Sequence, residues 1–479
     1  MTRIVVQRGE KDYIEIGAAM GFIERLEPRN NLEKERKIFS SSNLIAILIP
    51  SLAEQFFTTL VGLVDTLMVS YAGEAAVGGV SLVNQLAFLF IFVLSALSGG
   101  GGIVVSQYLG RNDKESADKA AGQFFLVSFF FGLLIMAICL LFRINILSSL
   151  FGSIERDVMD AATIYLFVTA LSWPFQGIYS ASASVFNAMG RTKVIMKVSV
   201  LMNTINVVGN FIGIFILRLG VLGVAIPTLI GRMVAAFVMV KALRDKENTV
   251  QLSFKGMFPL SFSLITLIVS ISIPGALENF LFHFSKVAIS SMVSQFGTSS
   301  IAAYGSAGNF WAMSSICAVA LGRCFVTVIG RTMGAGDKEA AKYYTRYLLR
   351  ISFVFSILWN LALLLISPLF LYGFALSQET KALTFMLILV HNTAFALLCS
   401  VHSALPNGLR ASGDVKWVMG ASIFSTVICR VFFSWLFGIR LGLGVIGVTL
   451  AMVADWSVKS LLVLVRYRSG KWLQKKVIS

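Results

Sequence analysis

The sequence is poor in charge and in proline for its length. Only 13% of its 479 residues are Asp, Glu, Lys or Arg and only 8 are proline, whereas 57% are hydrophobic and the mean hydropathy is +0.81. A soluble globular protein carries roughly twice that share of charged residues, so the composition excludes this class of protein. Scarce charge together with long apolar runs indicates a protein that crosses a membrane many times.

Cysteine and histidine are scarce as well, which excludes several kinds of site. The five cysteines are scattered and lie mostly inside apolar runs, and the three histidines show no metal-ligand spacing. This pattern favours small packing residues over disulfides or metal ligands. The sequence has no Walker motif and no nucleophile–base pairing, so we expect no organic cofactor. A membrane-embedded enzyme would need clustered His, Asp or Glu at the ends of spans, and the sequence has none.

Basic residues outnumber acidic ones, 40 to 24, and most of them lie between apolar stretches rather than within them. Their bias towards alternate connections follows the positive-inside rule, so we expect a bilayer rather than nucleic acid as the partner. The apolar stretches, each long enough to cross about 30 Å, are 42–70, 77–105, 121–147, 159–183, 193–216, 221–243, 258–294, 301–329, 345–372, 381–405, 416–439 and 443–466.

The charge bias also orients the chain. It predicts a multi-pass protein of the plasma membrane, with both termini cytoplasmic. The predicted domains are a polar N-terminal extension (1–41), a six-helix lobe (42–245), a cytoplasmic linker (246–257), a second six-helix lobe (258–466) and a basic tail (467–479). The extension has no apolar core near its start, so we expect no cleavable signal peptide. Within it, 11–27 fits a short amphipathic helix and a plain cytoplasmic tail about equally well.

An internal repeat divides the chain into two halves. Shifted by 224 positions, residues 49–119 fall on the second half without a gap, with identities clustered at proline, glycine and charged positions, and a one-residue insertion separates them from the later matching helices. Six spans per repeat is an even number, so both copies insert in the same orientation, and a cleft is predicted between two parallel six-helix lobes. The matched pairs include Pro50 with Pro274, Glu54 with Glu278, Gly73 with Gly297, Asp113 with Asp337 and Glu115 with Glu339.

Asp65 is the most informative residue of the first span. It shares one helix face with Glu54, and neither has a basic neighbour in the apolar stretch 49–73. An ionised Asp inside a membrane helix costs roughly a few kcal/mol, so it is usually turned towards protein or water and is a functional candidate by default. The alternative is a neutral, hydrogen-bonded core carboxyl. Glu54, placed near the cytoplasmic mouth, fits a structural role as well as it fits chemistry.

The fifth and sixth spans add neutral polar groups. Asn203, Asn206 and Asn210 recur at helical spacing and give one apolar helix an amide stripe. Interhelical hydrogen bonding is the alternative interpretation, and for Asn203 alone it is sufficient. Thr228 is a weak signal by itself, since a threonine can satisfy its hydroxyl on its own backbone.

The second half carries a different set of charges. Its candidate site residues are Glu278, Lys286 and Arg430. The repeat alignment matches Asp65 with Ile289, so the second half has no counterpart of that carboxylate. Our first interpretation is that Lys286 and Glu278 neutralise each other, and the second is a further titrating site. Arg430 is interpreted as the structural partner of a carboxyl or of helix-end carbonyls, and Asp455 is a possible mate.

Several motifs resemble those of the multidrug and toxic compound extrusion (MATE) family, in its bacterial type. The resemblance covers roughly residues 42–466, in the family's order. The motifs are VDTLMVSYAG in the first span, GRNDKESADKAAG after the second, NAMGRTK and INVVGNFIGIF around the fifth, and IPGALEN and RTMGAGDKEAAK in the second half.

The resemblance implies a V-shaped pair of six-helix bundles that opens alternately to each side of the membrane. It also implies export of organic, often cationic, compounds against an inward Na⁺ or H⁺ gradient, by a chain that we expect to be monomeric. By motif, Asp65 matches the aspartate on which cation coupling depends, with Na⁺ possible there, and Asn206, Asn210 and Thr228 match its pocket. Glu278 lies where several members have a functional glutamate.

The chain departs from the family's pattern at two of these positions. Asn210 stands where some members have a second aspartate, and Lys286 adds a positive charge to the seventh span. The neighbouring alternative is a lipid-linked oligosaccharide flippase of the same superfamily. Such proteins usually have extra helices and a cationic cavity, whereas twelve spans with an acidic first span favour the antiporter.

Overall fold

The computed structural model describes residues 21, 23–28, 32–152, 155–373 and 376–478, and over these residues it is helical, as expected. Within these ranges, eleven helices are long and apolar enough to cross a membrane, and one bent pair, taken as a single span, brings the number to twelve. Most of the predicted amphipathic helix at 11–27 lies outside the described residues.

Helices of the first half follow the predicted spans closely. A single turn at Phe254–Met257 and a loop then lead into the second half. The six are α1 (Ser41–Ser70), α2 (Glu74–Gly110), α3 (Lys114–Phe151), the bent α4 (Arg156–Leu171 and Trp173–Met189), α5 (Thr192–Ile216) and α6 (Leu222–Leu243).

Helices of the second half repeat this order. Their π-helical stretches are Ser400–Ala404 in α10, and Ile423–Cys429 and Ser434–Arg440 in α11. The six are α7 (Phe262–Val293), α8 (Thr298–Gly334), α9 (Lys338–Tyr372), α10 (Gln378–Ala411), α11 (Val415–Arg440) and α12 (Gly444–Arg468).

Local sequence explains where several helices begin and bend. Asp113 accepts a hydrogen bond from the Ser116 amide at 3.0 Å and so caps α3; Asp337 does the same for α9 through the Ala340 amide at 2.9 Å. The two segments of α4 meet at 46°, directly before Pro174, which has no amide hydrogen and blocks the preceding turn.

Packing divides the helices into two compact units. In the unit of 53–276, α2 packs against α3 and both segments of α4, and α5 packs along α6. In the unit of 1–52 with 277–479, α8, α9 and α10 pack together, and α12 packs against α10 and α11. The predicted lobes, 42–245 and 258–466, follow the sequence repeat, whereas this division follows packing and falls inside α1 and α7.

The outer faces of the helices are apolar. Leu141, Phe237, Leu365 and Leu369 are each at least 70% exposed. Large exposed apolar side chains at this density would be unfavourable in water and are favourable in a bilayer. The protein is therefore a multi-pass membrane protein.

Part of the N-terminal extension packs within the second unit. Ile23 and Phe39 are buried, the guanidinium of Arg36 binds the Asp337 carboxylate with an Nε–Oδ2 distance of 2.9 Å, and the Tyr344 hydroxyl bonds the backbone of Phe39. We call residues 32–40 the strap. Partial burial raises the pKa of Asp337, but hydrogen bonds from Arg36 and the Ala340 amide outweigh it and hold the pKa below its ordinary value.

Candidate functional site

The Asp65 carboxylate lies among the neutral polar groups that the sequence analysis selected. The Asn210 Nδ2 atom donates to Asp65 Oδ1 at 2.9 Å, and the side-chain amide of Asn206 lies 2.8 Å from both carboxylate oxygens. Thr228 completes the cluster at 2.9 Å from the Asn206 amide. The structure thus brings all four residues together, from α1, α5 and α6; we call them the Asp65 cluster.

The Asn206 amide can face Asp65 in either of two orientations. With its nitrogen towards Asp65 it donates to the carboxylate and its oxygen accepts from the Thr228 hydroxyl. With its oxygen towards Asp65 it needs a proton or a cation between the oxygens. The side chain can therefore serve both a charged and a neutral Asp65.

Burial around Asp65 is uneven. Asn210 is fully buried, and its Oδ1 atom has no hydrogen-bond partner among the described residues. Asp65, Asn206 and Thr228 are only half-buried. An unsatisfied amide oxygen beside a carboxylate is costly unless something binds it, and oxygen ligands of this kind suit a hard monovalent cation.

Helical spacing explains why α5 supplies two amides. Asn206 and Asn210 are four residues apart and lie one above the other on the same face. Asn203 lies on that stripe too, but its buried Nδ2 atom has no hydrogen-bond partner among the described residues. Thr228 Oγ1 also donates to the Val224 carbonyl at 3.0 Å, the backbone satisfaction anticipated for it.

Arg232 is a buried polar feature of the same unit that sequence reasoning missed. Its NH1 atom donates to the Ser172 hydroxyl at 2.7 Å and its guanidinium lies 5.2 Å from the Trp173 ring centroid. An arginine inside the apolar sixth span was the available signal. These contacts attach the bend of α4 to α6. Arg232 forms no ion pair with Asp65 among the described residues.

Glu54, on α1, is 7% exposed. Its repeat mate Glu278 lies within an ion-pair network: Glu278 Oε2 is 2.5 Å from Arg410 NH2, and Oε1 is 3.6 Å from Lys459 Nζ. The expected Lys286–Glu278 pair was therefore wrong. Arg410 follows the predicted span 381–405 in the sequence, but it lies in the last turn of α10, within reach of α7.

The Lys286 ammonium instead lies 5.0 Å from the Phe282 ring centroid, and the Arg430 guanidinium lies 5.6 Å from the same ring. Arg430 Nε is 3.0 Å from Asp455 Oδ2, an ion-pair distance at angles that do not make a hydrogen bond. The pairing of Arg430 with Asp455 is thus confirmed. Arg430 begins a single α-helical turn between the two π-helical stretches of α11.

Two of the three histidines belong to an aromatic stack. The His391 ring lies 4.7 Å from Trp311 and 4.9 Å from Trp456, and His402 lies 5.2 Å from Trp456. His391 is 4% exposed, so the stack is core packing. Over the part of the chain that the structure describes, no three His, Cys, Asp or Glu residues are grouped as metal ligands.

Two repeated helix bundles, apolar outside and carrying buried ionisable groups inside, define a polytopic membrane transporter. The MatE family profile matches residues 50–212 and 274–436, at the same offset of 224 as the internal repeat. The chain therefore belongs to the MatE family of multidrug efflux transporters, which are not enzymes.

Relatives of full length support this assignment. The chain is 26% identical to the uncharacterized transporter YisQ of Bacillus subtilis (strain 168), over 90% of this chain and 95% of the relative. It is 24% identical to the probable multidrug resistance protein NorM of Thermotoga maritima, over 94% of this chain and 97% of that one.

Solved structures share the fold. An outward-facing multidrug resistance MATE transporter superimposes with a TM-score of 0.84 at 20% identity, over 91% of this chain and 96% of that one. A superfamily transporter from Pyrococcus furiosus, whose binding pocket is described as reversed in polarity, gives a TM-score of 0.82 at 20% identity, over the same shares of the two chains.

Proposed function

We propose that the chain is an antiporter that couples export of organic compounds to an inward flow of H⁺ or Na⁺ carried by Asp65. One observation carries the proposal: the Asp65 carboxylate is held by neutral amides from α5, and no basic side chain pairs with it among the described residues. A carboxylate in an apolar span without a fixed counter-charge favours a mobile one.

The Asp65 cluster suits alternation between bound and free states. When a proton or Na⁺ occupies Asp65, the oxygen of the Asn206 amide can face it as a neutral ligand. When it leaves, rotation of the Asn206 amide supplies hydrogen bonds to the bare carboxylate. Both ions fit this donor set, so the proposal names both.

The test is ion-driven efflux from proteoliposomes that contain the purified full chain. Asp65→Asn keeps the size of the side chain and removes its charge, so we expect at least a hundredfold slower efflux under an imposed Na⁺ or pH gradient. Asp160→Asn, which changes an exposed carboxylate of the same half, is the control and should transport normally. Full gradient-driven efflux by Asp65→Asn would refute the proposal.

The coupling ion is identified by imposing one gradient at a time. A Na⁺ gradient at equal pH, and a pH gradient without Na⁺, should drive efflux unequally in the unchanged protein. The ion whose gradient drives efflux only when Asp65 is intact is the coupling ion.

Topology is proposed from the charge bias: plasma membrane, both termini cytoplasmic. Cysteines at Glu115 and Lys338, exposed at the starts of α3 and α9, should be shielded from an impermeant thiol reagent in intact cells. A cysteine at Glu379, exposed at the start of α10, should react. Four of the chain's own cysteines are buried, so the unchanged protein gives the background. The opposite labelling pattern would reverse the orientation.

Substrates are proposed to be organic compounds, in line with the relatives named for multidrug resistance. The expectation of cationic substrates and a monomeric chain stays a prediction.

A further inference from the structure

Among the described residues, the membrane-spanning helices of the second half carry more positive than negative charge. The cluster in α7, α10, α11 and α12, which we call the basic cluster, contains two acidic groups, Glu278 and Asp455. Its basic groups are Lys286, Arg410, Arg430 and Lys459. The formal charge is therefore two units positive. An excess of charge inside apolar spans is unfavourable without a counter-charge.

Both acidic groups of the basic cluster are already engaged. Glu278 lies between Arg410 and Lys459, at 2.5 Å and 3.6 Å. Asp455 is 1% exposed and lies 3.0 Å from Arg430. Lys286 forms no ion pair among the described residues, so neither carboxylate supplies the charge that it needs.

Lys286 and Arg430 are presented together. Both cations lie against the ring of Phe282, at 5.0 Å and 5.6 Å from its centroid. Arg430 is buried and fixed, whereas Lys286 is exposed, so the pair can be reached from outside the packed interior. The π-helical stretches on both sides of Arg430 set its position, and such irregular turns are frequent at functional sites.

We propose that Lys286 and Arg430, with Phe282 between them, bind the acidic group of a transported organic compound, most simply a carboxylate. The flexible ammonium and the planar guanidinium together complement such a group, and the ring offers an apolar contact beside it. The substrate class is thus organic acids or zwitterions. This inference rests on the proposed transport function, since it takes the ligand to be the exported compound.

The test uses two dyes that differ only at the acidic group. Tetramethylrhodamine carries a free carboxylate, and its methyl ester does not. Binding of each to the purified full chain in lipid-free detergent is measured by fluorescence polarisation, without any ion gradient. We expect the free acid to bind about tenfold tighter than the ester.

Variants connect that preference to the site. Lys286→Met should reduce the acid-to-ester preference to less than about twofold, and Lys286→Arg should keep it. Lys381→Met is the matched control, because Lys381 also lies over a ring of the same half, 5.9 Å from the centroid of Tyr372. Arg430 is changed together with its partner, as Arg430→Gln/Asp455→Asn, so that no buried charge is left alone.

Equal binding of the two dyes by the unchanged protein would overturn the proposal, as would a preference that survives Lys286→Met. Competition with inorganic phosphate and with phosphatidylglycerol micelles tests whether the site binds a free anion or a lipid headgroup instead. If either binds in a Lys286-dependent way while the two dyes bind alike, the site holds a free anion or a lipid headgroup, and the proposal fails. The dye measurement uses no ion gradient, so a loss of ion coupling and a loss of anion binding at this site are detected by separate assays.

Discussion

The two halves keep the same packing and differ in the chemistry of their interiors. Around Asp65 the first half gathers neutral amides and a hydroxyl. At the positions of Asp65 and Asn206 the second half has Ile289, which is 1% exposed, and Arg430, which pairs with Asp455. The backbone framework is shared by the two halves because every helix packs against it. Interior polar residues can differ between the halves as long as their charges are paired with another side chain or with a ligand.

The largest expected effect is on stability and separates the Glu278 carboxylate from the Asp65 carboxylate. Glu278→Gln leaves Arg410 and Lys459 without their shared anion, so we expect a loss of about 3 to 5 kcal/mol of unfolding free energy. Asp65→Asn removes no ion pair and should cost less than about 1 kcal/mol. Thermal unfolding of the two purified variants in detergent measures both values. Equal losses of unfolding free energy in the two variants would contradict the assignment of a structural ion pair to Glu278 and of an unpaired carboxylate to Asp65.

Matched glycines should reveal the common framework. A Cβ at Gly223 would lie 2.7 Å from the Gly213 backbone, and one at Gly447 would lie 2.6 Å from the Phe437 backbone, at repeat-related positions. Gly223→Ala and Gly447→Ala should each cost about 1 to 3 kcal/mol by forcing the helices apart. Gly99→Ala, with open space at its Cβ, is the control. Unequal costs at the two matched sites would show that packing has diverged as well.

Ion affinity should respond in one half only. Asn210→Ala removes the amide that donates to the ion-free Asp65 carboxylate at 2.9 Å. The ion-free form is then less stable, so we expect about a tenfold tighter apparent ion affinity in transport assays. The aligned change, Ser434→Ala, should leave it unchanged, because Ser434 lies on α11 away from any carboxylate contact in the described residues. A larger effect at Ser434 would place ion binding in the second half.

The smallest expected effect concerns the repeated helix caps. Asp113→Ala and Asp337→Ala each remove a cap that is worth about 1 kcal/mol. Asp337 also binds Arg36 of the strap, so its replacement should in addition expose the strap to limited proteolysis. Because the folded pKa of Asp337 is below its ordinary value, its contribution is present at neutral pH and is lost as the pH falls below about 4. Equal proteolysis rates in the two variants would contradict a role for Arg36.

Sequence alone determined the class of the protein, its repeat and most of its helices. Apolar length and charge bias are local properties, so they can be read one span at a time. Asp65, Asn206 and Asn210 stood out because polar residues are rare in such spans, whereas Thr228 was added by the family resemblance. The bend of α4 was not predicted, although Pro174 was the available signal for it.

Only the tertiary structure decided which charges meet. Lys286 and Glu278 are two helical turns apart on α7, which suggested a pair along one helix, but Glu278 binds Arg410 and Lys459 from α10 and α12. Partners on other helices depend on how helices are rotated and packed against one another, and spacing along one chain segment does not contain that information. The position of Lys286 and Arg430 over one Phe282 ring was likewise visible only once α7 and α11 were in place.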